Sequence, residues 1–227
     1  MDFSLIITSD GSHSLHSAQL NESYHSVHGA VSESIHIFIE AGLNKILETK
    51  NEINILEVGF GTGLNAFLTR FFGEEKNAKI SYQGIEAFPV KENIYTQLNY
   101  PQILNKTDNQ YFLDLHLSPW NEWIEISTNF RLLKHLSPIS EAILPESFFD
   151  LVYFDAFAPQ FQPEMWTKEV FEKLWMSMKE DAILTTYCCK GEVKRTLQSV
   201  GFSIEKLPGP KGKREMLRAR KEPRLDI

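Results

Sequence analysis

The sequence predicts an α/β fold: an open parallel sheet covered by helices on both faces, with its last strand reversed. Three observations predict it. From Ile53 onward, apolar strand-like runs alternate with helical periodicities, the pattern of right-handed β–α–β crossovers. The first such strand, in "ILEVGFGTGLNAF", runs into a glycine-rich turn and then an apolar helix. At the end of the chain "GPKGKREMLRAR" makes a Gly/Pro turn and comes back as a strand over 215–220, which fits an antiparallel partner.

The elements follow in order. "LIITSDGSHSLHS" alternates around Asp10-Gly11, a favoured type I′ pair, so the chain opens on a β-hairpin. A polar loop, "SAQLNESYHSVHG", comes next. "VSESIHIFIEAGLNKIL" then places Ile35, Phe38, Ile39, Leu43, Ile46 and Leu47 at helical spacing, with Ser32 or Ser34 near its start. The sheet strands are expected at 53–58, 80–86, 130–134, 149–155, 182–188 and 202–206. Helices are expected at 64–72, 91–98, 165–179 and 192–200. Residues 99–129 fit neither period and read as an insertion that carries Trp120 and Trp123. The expected organisation is a single globular domain, with a hairpin and helix in residues 1–50 packed on a core of residues 51–227.

At 227 residues the chain can bury one sizeable core, and 42% apolar with 23% charged residues argues for a folded globule rather than disorder. No run of 18 apolar residues occurs, so no membrane span is expected. The start lacks the basic and apolar regions of a secretory signal. Cys188 and Cys189 are neighbours and offer no disulfide framework, which suggests a reducing, cytoplasmic setting. The net charge of −7 argues against a nucleic-acid partner, but its distribution matters more. Lys206, Lys211, Lys213, Arg214, Arg218, Arg220, Lys221 and Arg224 face only Glu215 and Glu222, so the C-terminal end is locally basic. A solvated tail is the plain alternative.

Glu57, Gly59, Gly61 and Gly63 form E-x-G-x-G-x-G. The glycines permit positive φ and close approach of a ligand to the backbone. The spacing departs from the dinucleotide G-x-G-x-x-G pattern. An acid two residues before the first glycine suits an amino-acid-like ligand with an ammonium or sulfonium; S-adenosylmethionine (SAM) has both and no phosphate. A tight βα turn without a ligand is the alternative. Glu86 ends the second strand, where an acid can bind a ribose diol in either NAD or SAM. Asn65 reads either as an ordinary residue of the helix's first turn or as a supporting polar contact.

"DLVYFDAFAPQFQPEMW" is the most informative stretch. Apolar Leu151 to Phe154 form a buried strand, and Asp155 emerges at its carboxyl end, where open α/β sheets bind ligands. An acid, Phe157 and Pro159 at that point suit an amine acceptor. The carboxylate can hold the amine and take its proton, and the aromatic ring can cover developing positive charge. A helix cap or loop acid is the plain reading of Asp155.

These runs, with "YQGIEAFP" and "KGKREML", resemble a family of SAM-dependent methyltransferases that makes the 5-methylaminomethyl group on wobble uridine 34 of tRNA. The family occurs as the N-terminal half of the bifunctional MnmC enzyme and as a stand-alone MnmD type. The resemblance covers about Ser17 to Ala219. It implies a class I SAM-dependent methyltransferase (Rossmann-like) fold with a seven-stranded sheet whose last strand is antiparallel. It implies N-methylation of 5-aminomethyl-(2-thio)uridine, with SAM as cofactor and the tRNA anticodon loop as partner. It places SAM at Glu57, Gly59, Gly61 and Gly63, together with Phe60, Thr62, Asn65 and Ala87, with Glu86 on the ribose and Asp155 between donor and acceptor amine. Phe157, Pro159, Lys213 and Arg214 are the expected substrate residues. "SYHSVHGAVSES" resembles the loop and helix that close the cofactor site, so Tyr24, Glu33 and Ser34 are further candidates. Neither a membrane nor a second subunit is expected. An oxidase domain such as the bifunctional enzyme carries does not fit in this length, so methylation alone is implied. The acid usually found after the third strand, near adenine, is replaced by His135-Leu136. The runner-up substrate is a small-molecule amine.

Other constellations carry plainer readings. His13, His16, His25 and His28 sit in hairpin or loop with no acid or cysteine cluster, so no metal is expected. Cys188 and Cys189 read as packing residues rather than reactive thiols. Trp120 and Trp123 either pack the insertion onto the body or stack on an anticodon base.

Overall fold

A computed structural model describes residues 3–19, 21–105 and 108–222. Arg224, part of the basic end, lies outside them.

The expected alternation organises the main sheet. Its strands are β4 (Glu52–Val58), β5 (Lys79–Glu86), β6 (Trp123–Ser127), β7 (Phe130–Leu136), β8 (Phe149–Phe154), β9 (Met178–Thr186), β10 (Phe202–Pro208) and β11 (Glu215–Lys221). Their spatial order is β10-β11-β9-β8-β4-β5-β7-β6. β4 pairs in parallel with β5 and β8, β5 with β7, and β8 with β9, while β11 runs antiparallel between β9 and β10. The reversed last strand is as expected. Among the described residues this sheet has eight strands rather than seven, because part of the insertion forms β6, an antiparallel edge strand on β7. Trp123, Ile124, Glu125, Ile126 and Ser127 do alternate, but over too short a stretch to stand out. The rest of the insertion forms two helices, α4 (Tyr100–Ile103) and α5 (Gln110–Leu117).

Strand parity divides the core. Ile53, Ile55, Leu151 and Tyr153 face one side of the sheet. There they meet α1, a continuous run of Ala30–Ser34, a π-wound Ile35–Leu43 and Asn44–Leu47, and α2 (Leu64–Glu75). Leu56, Val58, Val152 and Phe154 face the other side, against α6 (Lys168–Ser177) and α7 (Gly191–Val200). Alternate residues of one strand therefore serve two cores. Every residue of β8 is buried, so Asp155 is the first polar group to leave that strand.

Several boundaries differ from expectation. The helix expected at 165–179 is a 3₁₀ turn, Pro163–Trp166, followed by α6; extended Thr167 breaks it and caps α6 by accepting from Val170 N–H at 3.4 Å. β9 therefore starts early, at Met178, and its register against β8 shifts before Ile183, next to Asp181 at φ 63°. The helix expected at 91–98 is only α3 (Glu92–Tyr95), continued by tighter three-residue turns. At the N-terminus β1 (Phe3–Ile7) and β2 (His13–Ser17) pair antiparallel, and a short β3 (Glu22–Ser23) adds to β2. Their turn is not type I′. Only Gly11 has positive φ (83°), and the loop spans five residues closed by Thr8 N–H to Ser12 O at 2.9 Å.

Candidate active site

The carboxyl ends of β4, β5, β7 and β8 open into one cavity of about 580 Å³, within the usual range for small-ligand sites. Tyr24, Glu33, Ser34, Gly59, Phe60, Gly61, Thr62, Asn65, Glu86, Ala87, Asp155, Phe157 and Lys213 line it. Of the expected site residues, Glu57, Gly63, Pro159 and Arg214 do not. Glu57 shares its strand parity with Ile53 and Ile55, so it points beneath α2 and is fully buried. Pro159 is buried beside the loop, and Arg214 is exposed on the β10–β11 hairpin.

The glycine turn leaves β4 at Gly59 (φ 92°). A Cβ there would lie 2.5 Å from the Asp155 carbonyl oxygen, so this glycine lets the two strand exits touch. Gly61 (φ 49°) has the Tyr24 ring against it, 3.0 Å from where a Cβ would stand. The Gly61 N–H donates to Glu86 Oε2 at 2.8 Å, and Phe88 N–H donates to Glu86 Oε1 at 2.8 Å. A phosphate ligand would need that Gly61 donor. Its commitment to a carboxylate suits a ligand with ribose hydroxyls and no phosphate, as in SAM. Two bonds leave Glu86 capacity to accept more, since a carboxylate offers about four acceptor sites. Burial raises its pKa.

Asn65, in the first turn of α2, joins two acids. Its Nδ2 donates to Glu57 Oε1 and to Asp155 Oδ2, each at 2.9 Å. Its own Oδ1 and Glu57 Oε2 are buried without a partner. Burial pushes Glu57 well above the usual carboxylate range, with the Asp155 charge adding to it. Burial also pushes Asp155 up to about 7; the Asn65 bond and Lys213 pull it down, and Glu33 pushes it up. An acid poised near neutrality can both take and release a proton.

The rest of the lining comes from segments far apart in the chain. Glu33 on α1 accepts from Ser26 N–H at 2.7 Å and pairs with Lys213 of the β10–β11 hairpin. The Lys213 ammonium also lies 4.2 Å from the centroid of the Tyr187 ring. Tyr187 donates to the Ala156 carbonyl at 2.9 Å. Phe157 meets Tyr24 edge to face at 5.0 Å and is fixed at both backbone ends, its N–H to Gln162 Oε1 at 3.1 Å and its carbonyl from Trp166 Nε1 at 2.8 Å. His25, held near 4 by burial, is neutral and bonded to Ser14 Oγ at 3.0 Å. With Glu33, Glu86 and Asp155 against one lysine, the cavity favours cationic groups such as a sulfonium or an amine.

His135 bonds Gln83 Oε1 at 2.9 Å and lies outside the cavity; Ser137, Pro138, Ile139 and Ser140 line it instead. Lys173 fixes that loop by donating to the carbonyls of Ile139, Ser140 and Ala142 at 2.9, 2.6 and 3.1 Å. Its place at a strand's carboxyl end was the available signal. Tyr187 had none, because only the fold brings it to the cavity.

Much of the basic end is engaged elsewhere. Arg218 bonds Glu205 and the Ala41 carbonyl, Arg220 pairs with Asp181, Lys206 with Glu215, and Lys221 is buried against the Trp175 and Met178 carbonyls. Trp120 packs under Lys134, whose ammonium lies 4.6 Å from its ring centroid, and Arg131 covers the Trp123 ring at 4.5 Å.

Comparison with known proteins places this geometry. The model of a family described as S-adenosyl-L-methionine-dependent methyltransferase matches residues 101–222, more than half the chain. This chain belongs to that family. As a SAM-dependent methyltransferase it uses SAM as cofactor, and the donor set described above fits that ligand. It is similar to the bifunctional protein MnmC of tRNA 5-methylaminomethyl-2-thiouridine biosynthesis from two bacteria. Identity is 29% with that of Legionella pneumophila strain Philadelphia 1, over 91% of this chain and 35% of the relative. It is 31% with that of Leptospira interrogans strain Fiocruz L1-130, over 88% and 33%. The chain thus spans about a third of the length of these curated relatives. Among solved structures, MNMC2 from Aquifex aeolicus superposes with a TM-score of 0.77 at 25% identity, over 100% of this methyltransferase and 73% of that chain.

Proposed function

We propose that this methyltransferase transfers the methyl group of SAM to the amine of 5-aminomethyl-(2-thio)uridine at tRNA position 34, giving the 5-methylaminomethyl form. The observation that carries the reading is Asp155, poised near neutrality at the end of β8 in the cavity that also holds the glycine turn and Glu86. The similarity to the MnmC proteins supports the choice of acceptor.

SAM supplies an electrophilic methyl group on its sulfonium. Glu86 holds the ribose while keeping Gly61 in place, and Tyr24 covers the turn. Ser137 to Ser140 border the adenine. The acceptor amine enters between Asp155 and Phe157. It arrives as an ammonium with no lone pair, and the Asp155 carboxylate takes its proton, which frees the nitrogen to react. Asn65 holds Asp155 Oδ2, so the other carboxylate oxygen faces the amine. Tyr24 and Phe157, in edge-to-face contact, would exclude water from the reacting groups. A wobble uridine in a single-stranded loop reaches the cavity at modest unstacking cost, and exposed Arg214 and Lys211, on the hairpin whose Lys213 lines it, meet loop phosphates.

Residues 1–50 belong to the working domain in this reading, since Tyr24 and Glu33 line the cavity. One chain supplies every residue named, so a monomer suffices. The tRNA substrate and the unpaired Cys188 and Cys189 favour the cytoplasm; among the described residues no helix is long and apolar enough to cross a membrane. One observation favours a small-molecule amine instead: Lys213, expected on tRNA phosphate, is committed to Glu33 inside the cavity. The test is transfer of labelled methyl from SAM to tRNA from cells lacking the modification. Label in tRNA supports the reading. Label only in added small amines overturns it in favour of the alternative.

A further inference from the structure

Thr62 sits at the centre of the glycine turn, between Gly61 and Gly63, and is almost fully buried. Its hydroxyl and its carbonyl are held by the insertion, not by the sheet. The Tyr100 hydroxyl, fully buried on α4, donates to Thr62 Oγ1 at 3.1 Å. His116 Nε2, on α5, lies 3.0 Å from the Thr62 carbonyl oxygen. A carbonyl only accepts, so this nitrogen carries the ring proton; burial holds the imidazole near 3 and therefore neutral.

His116 is fixed in turn. Its ring stacks on Tyr95 at 4.2 Å with planes 11° apart and meets Phe112 edge to face at 4.9 Å. Its backbone carbonyl accepts from buried Lys134 Nζ at 2.8 Å. The same ring closes on Gly63, with Nε2 3.0 Å from where a Cβ would stand. The turn is thus clasped from two sides, by Glu86 on the cavity face at Gly61 and by the insertion behind it at Thr62. A turn of positive-φ residues gains little rigidity from its own sequence, so such outside bonds decide how well it is preorganised.

We propose that His116 and Tyr100 are positioning residues for SAM, holding the glycine turn in its binding conformation through the carbonyl and hydroxyl of Thr62. This rests on the reading that the glycine turn and Glu86 hold the cofactor. The insertion then belongs to the binding machinery without touching the ligand.

The test is calorimetric affinity for S-adenosylhomocysteine, with melting temperature measured alongside. His116→Phe keeps the stack on Tyr95 and removes the donor; Tyr100→Phe removes the other. Each is expected to weaken binding roughly three- to tenfold, the worth of one hydrogen bond. His116→Gln, whose amide can reach the same carbonyl, should restore most of it. Leu197→Ala, in the core on the opposite sheet face, should lower the melting temperature and leave affinity unchanged. Steady-state kinetics should show KM for SAM rising with kcat within about twofold. Unchanged affinity in folded His116→Phe and Tyr100→Phe, while Glu86→Ala weakens binding, overturns the inference alone. If Glu86→Ala also binds normally, the cofactor reading of the site fails first.

Discussion

Replacing Asp155 with asparagine removes a charge that the fold makes expensive. Burial raises the carboxyl from an ordinary 3.8 to about 7. The folded state therefore holds the proton more tightly than the unfolded chain. Below about pH 4 both states are protonated and nothing is lost. Between about pH 4 and 7 the unfolded chain ionises while the folded protein keeps its proton, so stability falls across that window by at most about 4 kcal/mol and levels off above it. Water in the cavity lowers that ceiling. Asparagine keeps the size and can accept from Asn65 after an amide flip, but pays no such cost. Thermal melts at pH 5 and pH 8 measure it. Between these pH values the advantage of Asp155→Asn over the parent should grow by about 2–3 kcal/mol, or roughly 5–10 °C for a chain of this length. An equal advantage at both pH values, or none, would refute the claim that Asp155 is held near neutrality by burial.

In the parent, kcat/KM should rise with pH through about 7 as Asp155 ionises; Asp155→Asn should lose most activity and any remaining rate should lack that limb. Glu86→Gln keeps one acceptor oxygen and should weaken SAM binding by about tenfold in calorimetry, less than Glu86→Ala. Lys213→Met removes a charge that lowers Asp155 and leaves Glu33 unpaired, so the acid limb should move to higher pH; a limb that stays put would separate Lys213 from the acid. Arg214→Glu should weaken tRNA binding and flatten its salt dependence while SAM binding is unchanged; an unaltered salt slope would take the hairpin out of the tRNA contact.

The parts legible in the sequence were those with one dominant local cause. The glycine turn, Glu86 and Asp155 sit at strand ends, and strand ends are set by runs of apolar residues such as Leu151 to Phe154. The reversed last strand followed from one Gly/Pro turn. The illegible parts depended on contacts far apart in the chain. Glu33 and Lys213 are 180 residues apart, and their pairing needs α1 to lie under the β10–β11 hairpin. Glu57 has a ligand residue's place in the motif, yet strand parity turns it under α2 behind Asn65. The insertion hid α4, α5 and β6 because each is short and is stabilised by packing on the body, as Phe112 and Leu115 show, rather than by its own periodicity.

In the proposed reaction Asp155 prepares an amine on a tRNA uridine for methylation by SAM. Nucleoside mass analysis of tRNA carrying the 5-aminomethyl group, treated with SAM and either the parent or Asp155→Asn, tests it most directly. The parent should convert it to the 5-methylaminomethyl nucleoside, and a variant that still binds SAM within a few-fold should convert little. Equal conversion by both proteins, or a methyl group found on a ring or ribose atom instead of the amine, would contradict it.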